Sequence, residues 1–221
     1  MDTGITWKHS GGSVIPAANS RRFRMLSFSV VTLPLSQVRW LYRKRMKNDF
    51  SPDELKPLAM IEQALARNEY ICYGAEDGEE VLAYAYFVKL NDQGRPYALF
   101  DYFAVKREIR DEGVGSRFLQ ALISGPLRSM DCVLLEVDDP ACADTPEEAD
   151  IRNRRLSFYL RNGLRDTDVK ATVYGVQFKI LTLPVGSQLS REEVKRKYAA
   201  LYRSLLPARL FDAKVFIHPD D

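Results

Sequence analysis

The stretch Val105-Lys106-Arg107-Glu108-Ile109-Arg110-Asp111-Glu112-Gly113-Val114-Gly115-Ser116 decides how this chain is read. A nearly continuous apolar run, Tyr97 to Val105, precedes it. Val114, Phe118, Leu122 and Ile123 then follow at spacings that share one helix face. The segment therefore reads as strand, short basic loop, helix. Gly113 and Gly115 sit where the helix begins. A helix start leaves backbone N–H groups unpaired and carries a partial positive charge, and glycines let a ligand approach that backbone closely. The guest such a loop suits is a phosphate group. A glycine pair alone would equally fit a plain strand-to-helix turn.

Outward from this loop, the order of elements is legible. Met25 to Leu33 is rich in β-branched and aromatic residues and reads as a strand. Ser36 is a plausible cap for a helix carrying Val38, Leu41, Tyr42 and Met46. Ser51-Pro52-Asp53-Glu54 resembles a second helix start, with Leu55, Leu58, Ile61, Ala64 and Leu65 behind it and an end near Asn68. Tyr70–Ala75, Val81–Leu90 and Tyr97–Val105 read as three antiparallel strands, joined through Asp77-Gly78 and Asn91-Asp92-Gln93-Gly94. Cys132–Val137 is reached through the helix Gly113–Ile123, so it should run parallel to the strand before it.

Asp138 to Asp150 is acidic, holds two prolines and reads as an exposed insertion. A basic helix is expected over Arg152–Asn162, ended by Gly163, and Val169–Tyr174 and Val176–Leu183 read as the last two strands. Ser190-Arg191-Glu192-Glu193 resembles a capping box for a final helix with Val194, Tyr198, Leu201 and Leu205 on one face. The expected division is a flexible arm over 1–20, one domain over 21–185, and a C-terminal helix and tail over 186–221 packed on it.

Composition narrows the function classes. With 221 residues, 46% hydrophobic and 28% charged, the chain can bury a sizeable core. A net charge of +2 gives no global pull toward nucleic acid or an anionic membrane. No apolar run approaches the ~20 residues of a membrane span. No signal-peptide core is visible at the N-terminus. Cys72, Cys132 and Cys142 show no metal-ligand spacing, and free thiols point to the cytoplasm. His9 and His218 lie near opposite ends, and neither suggests catalysis or zinc.

Two motifs in order carry a family resemblance. Arg110-x-x-Gly113-x-Gly115 is followed by the strand Val133-Leu134-Leu135-Glu136-Val137, then by Phe158-Tyr159-Leu160-Arg161-Asn162-Gly163-Leu164. Together they resemble the GCN5-related N-acetyltransferase (GNAT) family, over roughly Met25 to Pro184. The resemblance implies an α/β fold with a mixed, mostly antiparallel sheet, a splayed parallel strand pair and flanking helices. It implies acetyl-CoA as cosubstrate and no metal. The pantetheine arm would lie between the splayed strands, against the backbone of Phe103, Ala104 and Val105. The pyrophosphate would meet the loop Arg110, Asp111, Glu112, Gly113, Val114, Gly115 and Ser116. Arg107 stands where a proline is common, and Asp111 where a glycine is common. The family often has an asparagine seven residues before the tyrosine. Arg152 holds that place here, so Asn153 becomes the expected cofactor contact.

Aminolysis of a thioester needs a neutral amine and a protonated leaving sulfur. A lysine-like amine has a pKa of about 10.4 and a thiol one of about 8.5, so a base is needed and a weak acid suffices. By the resemblance Tyr159 is that acid, the alternative being an amphipathic core tyrosine at a helix end. Glu136 is one candidate base, or an exposed strand position. Asp101, which interrupts an apolar strand, is the other, or a hydrogen-bonded structural carboxylate. The implied acceptor is a small-molecule or peptide amine, with the protein monomeric or homodimeric. A non-catalytic CoA-binding module and a lysine or N-terminal protein acetyltransferase are the rivals.

Overall fold

The computed structural model describes residues 27–219 with the exception of Asp53. The expected arm over 1–20, His9 and the first residues of the expected strand at Met25 lie outside that range. Among the described residues, eight strands form one sheet in the order β1-β2-β3-β4-β5-β7-β6-β8. They are β1 (Ser29–Thr32), β2 (Tyr70–Asp77), β3 (Glu80–Asp92), β4 (Arg95–Val105), β5 (Cys132–Asp138), β6 (Arg165–Val173), β7 (Val176–Thr182) and β8 (Val215–Ile217). Every neighbouring pair is antiparallel except β4 and β5, which are parallel as the crossover required.

Helices cover both faces, so the central strands are apolar on both sides rather than alternating. On β3, Tyr84, Tyr86 and Val88 join one core. It also holds residues of α1 (Leu35–Leu41), α3 (Leu58–Ala66), α6 (Arg191–Leu205) and α7 (Ala208–Lys214). Ala83, Ala85 and Phe87 join the other core, under α4 (Val114–Ser124) and α5 (Pro146–Arg161). α1 runs through a π-helical stretch (Tyr42–Met46) into the short α2 (Lys47–Asp49). Among the described residues no helix is long and apolar enough to cross a membrane.

Several boundaries differ from the sequence reading. The first helix is capped at Pro34, one turn before the apolar spacing begins, so Ser36 lies inside it. Ser51 and Glu54 do bond to each other, but only as a turn. Pro57, which has no N–H to give an ongoing helix, becomes the N-cap of α3 and leaves Leu55 outside it. α5 starts well before Arg152. Thr145 accepts from the Glu148 N–H, Pro146 fits the first turn, and Glu147 and Glu148 lie at the positive helix end. Asp138 to Asp150 is therefore largely a 3-10 turn and helix rather than a loose insertion. β7 does not complete the sheet either, because α7 returns the chain and β8 pairs with β6. A three-residue apolar run is too short for a period-two pattern to reveal. The capping box at Ser190 and Glu193 forms as expected.

Candidate active site

The glycine loop owes its shape to two distinct backbone demands. Gly113 caps α4 with φ 75°, a left-handed conformation that side chains disfavour. Gly115 is required by close packing: a Cβ there would lie 3.2 Å from Val105 Cγ2 and 3.5 Å from Phe158 Cζ. Arg117 donates to the Gly113 carbonyl at 3.1 Å, so Val114, Gly115 and Ser116 hold the helix-start N–H groups ahead of that bond. Asp111 adopts φ 65°, the conformation for which a glycine would ordinarily serve. Of the loop's basic residues, Arg107 and Arg110 pair with Asp49 at 3.7 and 3.2 Å. Arg110 Nε also donates to the Val105 carbonyl at 3.2 Å, drawing the loop against the end of β4.

The sheet opens beside this loop. β4 and β5 are in register from Tyr97↔Cys132 to Phe100↔Leu135, and the ladder stops there. The stop coincides with a bulge in β4. Tyr86 faces Tyr102 and Phe87 faces Phe100, leaving Asp101 without a partner on β3. An extra residue bends its strand and increases the local twist. Beyond it, Asp101–Val105 and Glu136–Asp138 diverge and line a cleft of about 990 Å³. Phe103, Ala104, Val105, Arg110, Asp111, Gly113, Gly115 and Ser116 all border this cleft. Glu112, Val114 and Asn153 do not. Val114 is buried under the sheet, and Asn153 lies exposed on α5.

The two candidate carboxylates meet different partners. The Asp101 carboxylate accepts from Lys56 Nζ at 2.5 Å and from the Tyr70 hydroxyl. Burial opposes the Lys56 charge, yet Asp101 and its neighbours hold the ammonium above its ordinary range. Glu136 lies on the strand face turned to α6. Its Oε1 accepts from the Tyr198 hydroxyl and, at 2.6 Å, from the Tyr202 hydroxyl. Its Oε2 accepts from no described residue, so one carboxylate oxygen is held and the other is available. Burial pushes the Glu136 carboxyl up, with Asp101 adding to the rise. The two tyrosine hydrogen bonds and Lys56 oppose the shift without cancelling it.

Tyr159 enters the cleft from the opposite side of the sheet, in the last turns of α5. Asn162 fixes the start of α4 to the end of α5, its Nδ2 donating to Ser116 Oγ at 3.1 Å. Gly163 then turns the chain with φ 90°. The Tyr159 hydroxyl has no hydrogen-bond partner among the described residues, and burial pushes it up to about 12. Arg155, itself bonded to Asp138 at 2.5 Å, opposes that rise. Sequence reasoning missed Lys56, Tyr198 and Tyr202. The tyrosines' only signal was their four-residue spacing on a capped helix, which reads as core packing.

Among the described residues, a mixed sheet whose one parallel pair parts over a glycine-started helix is the architecture that the sequence resemblance implied. Residues 35–143 match the Acetyltransferase (GNAT) family model, and the chain carries a GNAT acetyltransferase domain. The match ends before Tyr159 and α6. The structure is similar to that of a GNAT-family protein from Bacteroides thetaiotaomicron, at 16% identity over 80% of this chain and 95% of that one, with TM-score 0.58. It is also similar to smu.2055 from Streptococcus mutans UA159, at 14% identity over 70% and 98% of the two chains, with TM-score 0.52. A spermidine N-acetyltransferase chimera from Vibrio cholerae and hSSAT matches at 12% identity over 71% and 94%, with TM-score 0.50. At such identities the likeness establishes the fold. No curated protein sequence matches the chain.

Proposed function

We propose that this protein transfers an acetyl group from acetyl-CoA to a primary amine, the amine attacking the thioester directly. The observation that carries this reading is the opening of β4 from β5 onto the glycine-started helix, with Glu136 and Tyr159 lining the same cleft. Acetyl-CoA supplies an activated acetyl thioester. The strand backbone of Phe103–Val105 holds the pantetheine amides as an added strand would. The N–H groups of Val114, Gly115 and Ser116 and the Arg110 guanidinium receive the pyrophosphate.

The amine must lose a proton as its N–C bond forms. Glu136, held through one oxygen by two tyrosines, takes that proton on Oε2, directly or through one water. Its raised carboxyl makes it a stronger base than an exposed glutamate. As the C–S bond breaks, Tyr159 gives its proton to the sulfur, and CoA leaves as the thiol. Asp101 is a structural carboxylate in this reading, because Lys56 and Tyr70 occupy both of its oxygens. A well-placed base favours an enzyme over a non-catalytic CoA module. The residues that contribute Tyr198 and Tyr202 lie beyond 185, so the C-terminal segment is a working part of the catalytic unit. The free thiols of Cys72, Cys132 and Cys142 fit a cytoplasmic setting.

The test is release of free CoA thiol from acetyl-CoA with a panel of amines, using the wild-type protein and Glu136→Gln. Amine-dependent release that Glu136→Gln abolishes supports the reading. Equal release by both proteins removes Glu136 as the base.

A further inference from the structure

Away from the glycine loop, the cleft continues as a chamber between three walls: the segment after α2, the β6–β7 hairpin and the end of α6. Its surface is mostly apolar, with Phe50, Leu55, Met60, Phe178, Leu205 and Leu206 contributing. Resting on the acetyl-transfer reading, we infer that the acceptor is a monoamine on an apolar body rather than a polycation. The charge pattern points the same way as the apolar walls.

A second ammonium on the acceptor would need an unengaged carboxylate in this chamber. Among the described residues, the buried and half-buried carboxylates lining it, Glu136 apart, are each paired with a cation. Asp49 pairs with Arg107 and Arg110 and accepts from the Tyr84 hydroxyl at 2.9 Å. Glu54 is exposed to solvent, its Oε2 accepting from Ser51 at 2.8 and 2.9 Å. Asp101 is held by Lys56 and Tyr70, and Asp138 by Arg155. Glu136, among the described residues, is the buried carboxylate of the cleft with no cation bonded to it, and its open oxygen serves the reacting amine. A distal ammonium drawn into the buried part of the chamber would therefore be desolvated without a partner, which is strongly unfavourable, whereas a distal methyl group would be welcomed.

The test compares n-hexylamine with hexamethylenediamine, which differ by one terminal amino group. Phenethylamine is a third acceptor. Thiol release is followed with acetyl-CoA and full-length protein. The expected kcat/KM for hexylamine exceeds that for the diamine by about tenfold or more, a gap set by stranding one charge. Met60 belongs to neither core, so Met60→Glu leaves the packing intact and places an unpaired carboxylate on the chamber wall. That variant should narrow or reverse the preference. A wild-type preference for the diamine overturns the inference, as does a Met60→Glu protein whose preference is unchanged. Absence of thiol release with every amine would instead defeat the acetyl-transfer reading. The chamber's preference is then read by calorimetry of the same two amines against the protein with CoA, where tighter diamine binding overturns it.

Discussion

Removing the hydroxyls that hold Glu136 should move the acid limb of the pH profile by a calculable amount. Tyr198 and Tyr202 both donate to Glu136 Oε1, the latter at 2.6 Å. A hydrogen bond to a charged group is worth about 1.5–3 kcal/mol, and 1.36 kcal/mol corresponds to one pKa unit. Tyr202→Phe keeps the ring in the core and deletes one donor to the carboxylate. The ionised form loses support, so the Glu136 pKa rises by roughly one to two units. Tyr198→Phe should act alike. The double variant should shift less than the sum, because both hydroxyls serve one oxygen. The assay is kcat/KM against pH, whose acid limb reports the base in the free enzyme. The limb should move to higher pH, with the rate regained at alkaline pH and acetyl-CoA affinity unchanged. A limb that stays in place in folded variants refutes the assignment of Glu136 as base and of the tyrosines as its positioning residues.

Glu136→Gln should abolish turnover yet leave the protein at least as stable at neutral pH. Burial raises the native carboxyl above its unfolded value, so its ionisation destabilises the fold increasingly between those two pKa values. Denaturant unfolding at pH 4 and pH 8 should show the variant gaining on wild type at the higher pH. Tyr159→Phe should lower kcat by about 10²-fold, the low end for general acids, with folding and acetyl-CoA affinity preserved. An unchanged single-turnover rate would make Tyr159 structural. Gly113→Asp should fold, since aspartate tolerates a left-handed φ and no atom lies within 4 Å of its Cβ. Its charge at the phosphate site should weaken acetyl-CoA binding by about tenfold or more in calorimetry, ~1.4 kcal/mol. Gly115→Val should instead destabilise the start of α4, because its Cβ meets Val105 at 3.2 Å. The check is thermal unfolding.

The features legible in the sequence were those written locally. The apolar run of β4, the glycines after it and the helical spacing of Val114, Phe118 and Leu122 sit within one short window. Together they imposed the parallel β4–β5 pair. What failed were competing local signals. Ser51 and Glu54 do form a cap-like contact, but Pro57 prevents a helix from running through it. The acids after Asp138 looked like a loop, although Thr145, Pro146 and Glu148 form a helix start. The bulge at Asp101 depends on its register against Tyr86 and Phe87, which no single strand encodes. The clamp on Glu136 joins residues 62 and 66 positions apart. Each tyrosine looks like core until α6 is laid across β5.

In the proposed complex, the opening between β4 and β5 holds acetyl-CoA with its thioester between Glu136 and Tyr159. A crystal structure with acetyl-CoA tests it most directly. Pantetheine amides should be bonded to the backbone of Phe103–Val105 and the pyrophosphate to the N–H groups of Val114–Ser116. The thioester sulfur should lie within hydrogen-bond reach of the Tyr159 hydroxyl. Coenzyme bound elsewhere, or a sulfur remote from both Tyr159 and Glu136, would contradict it.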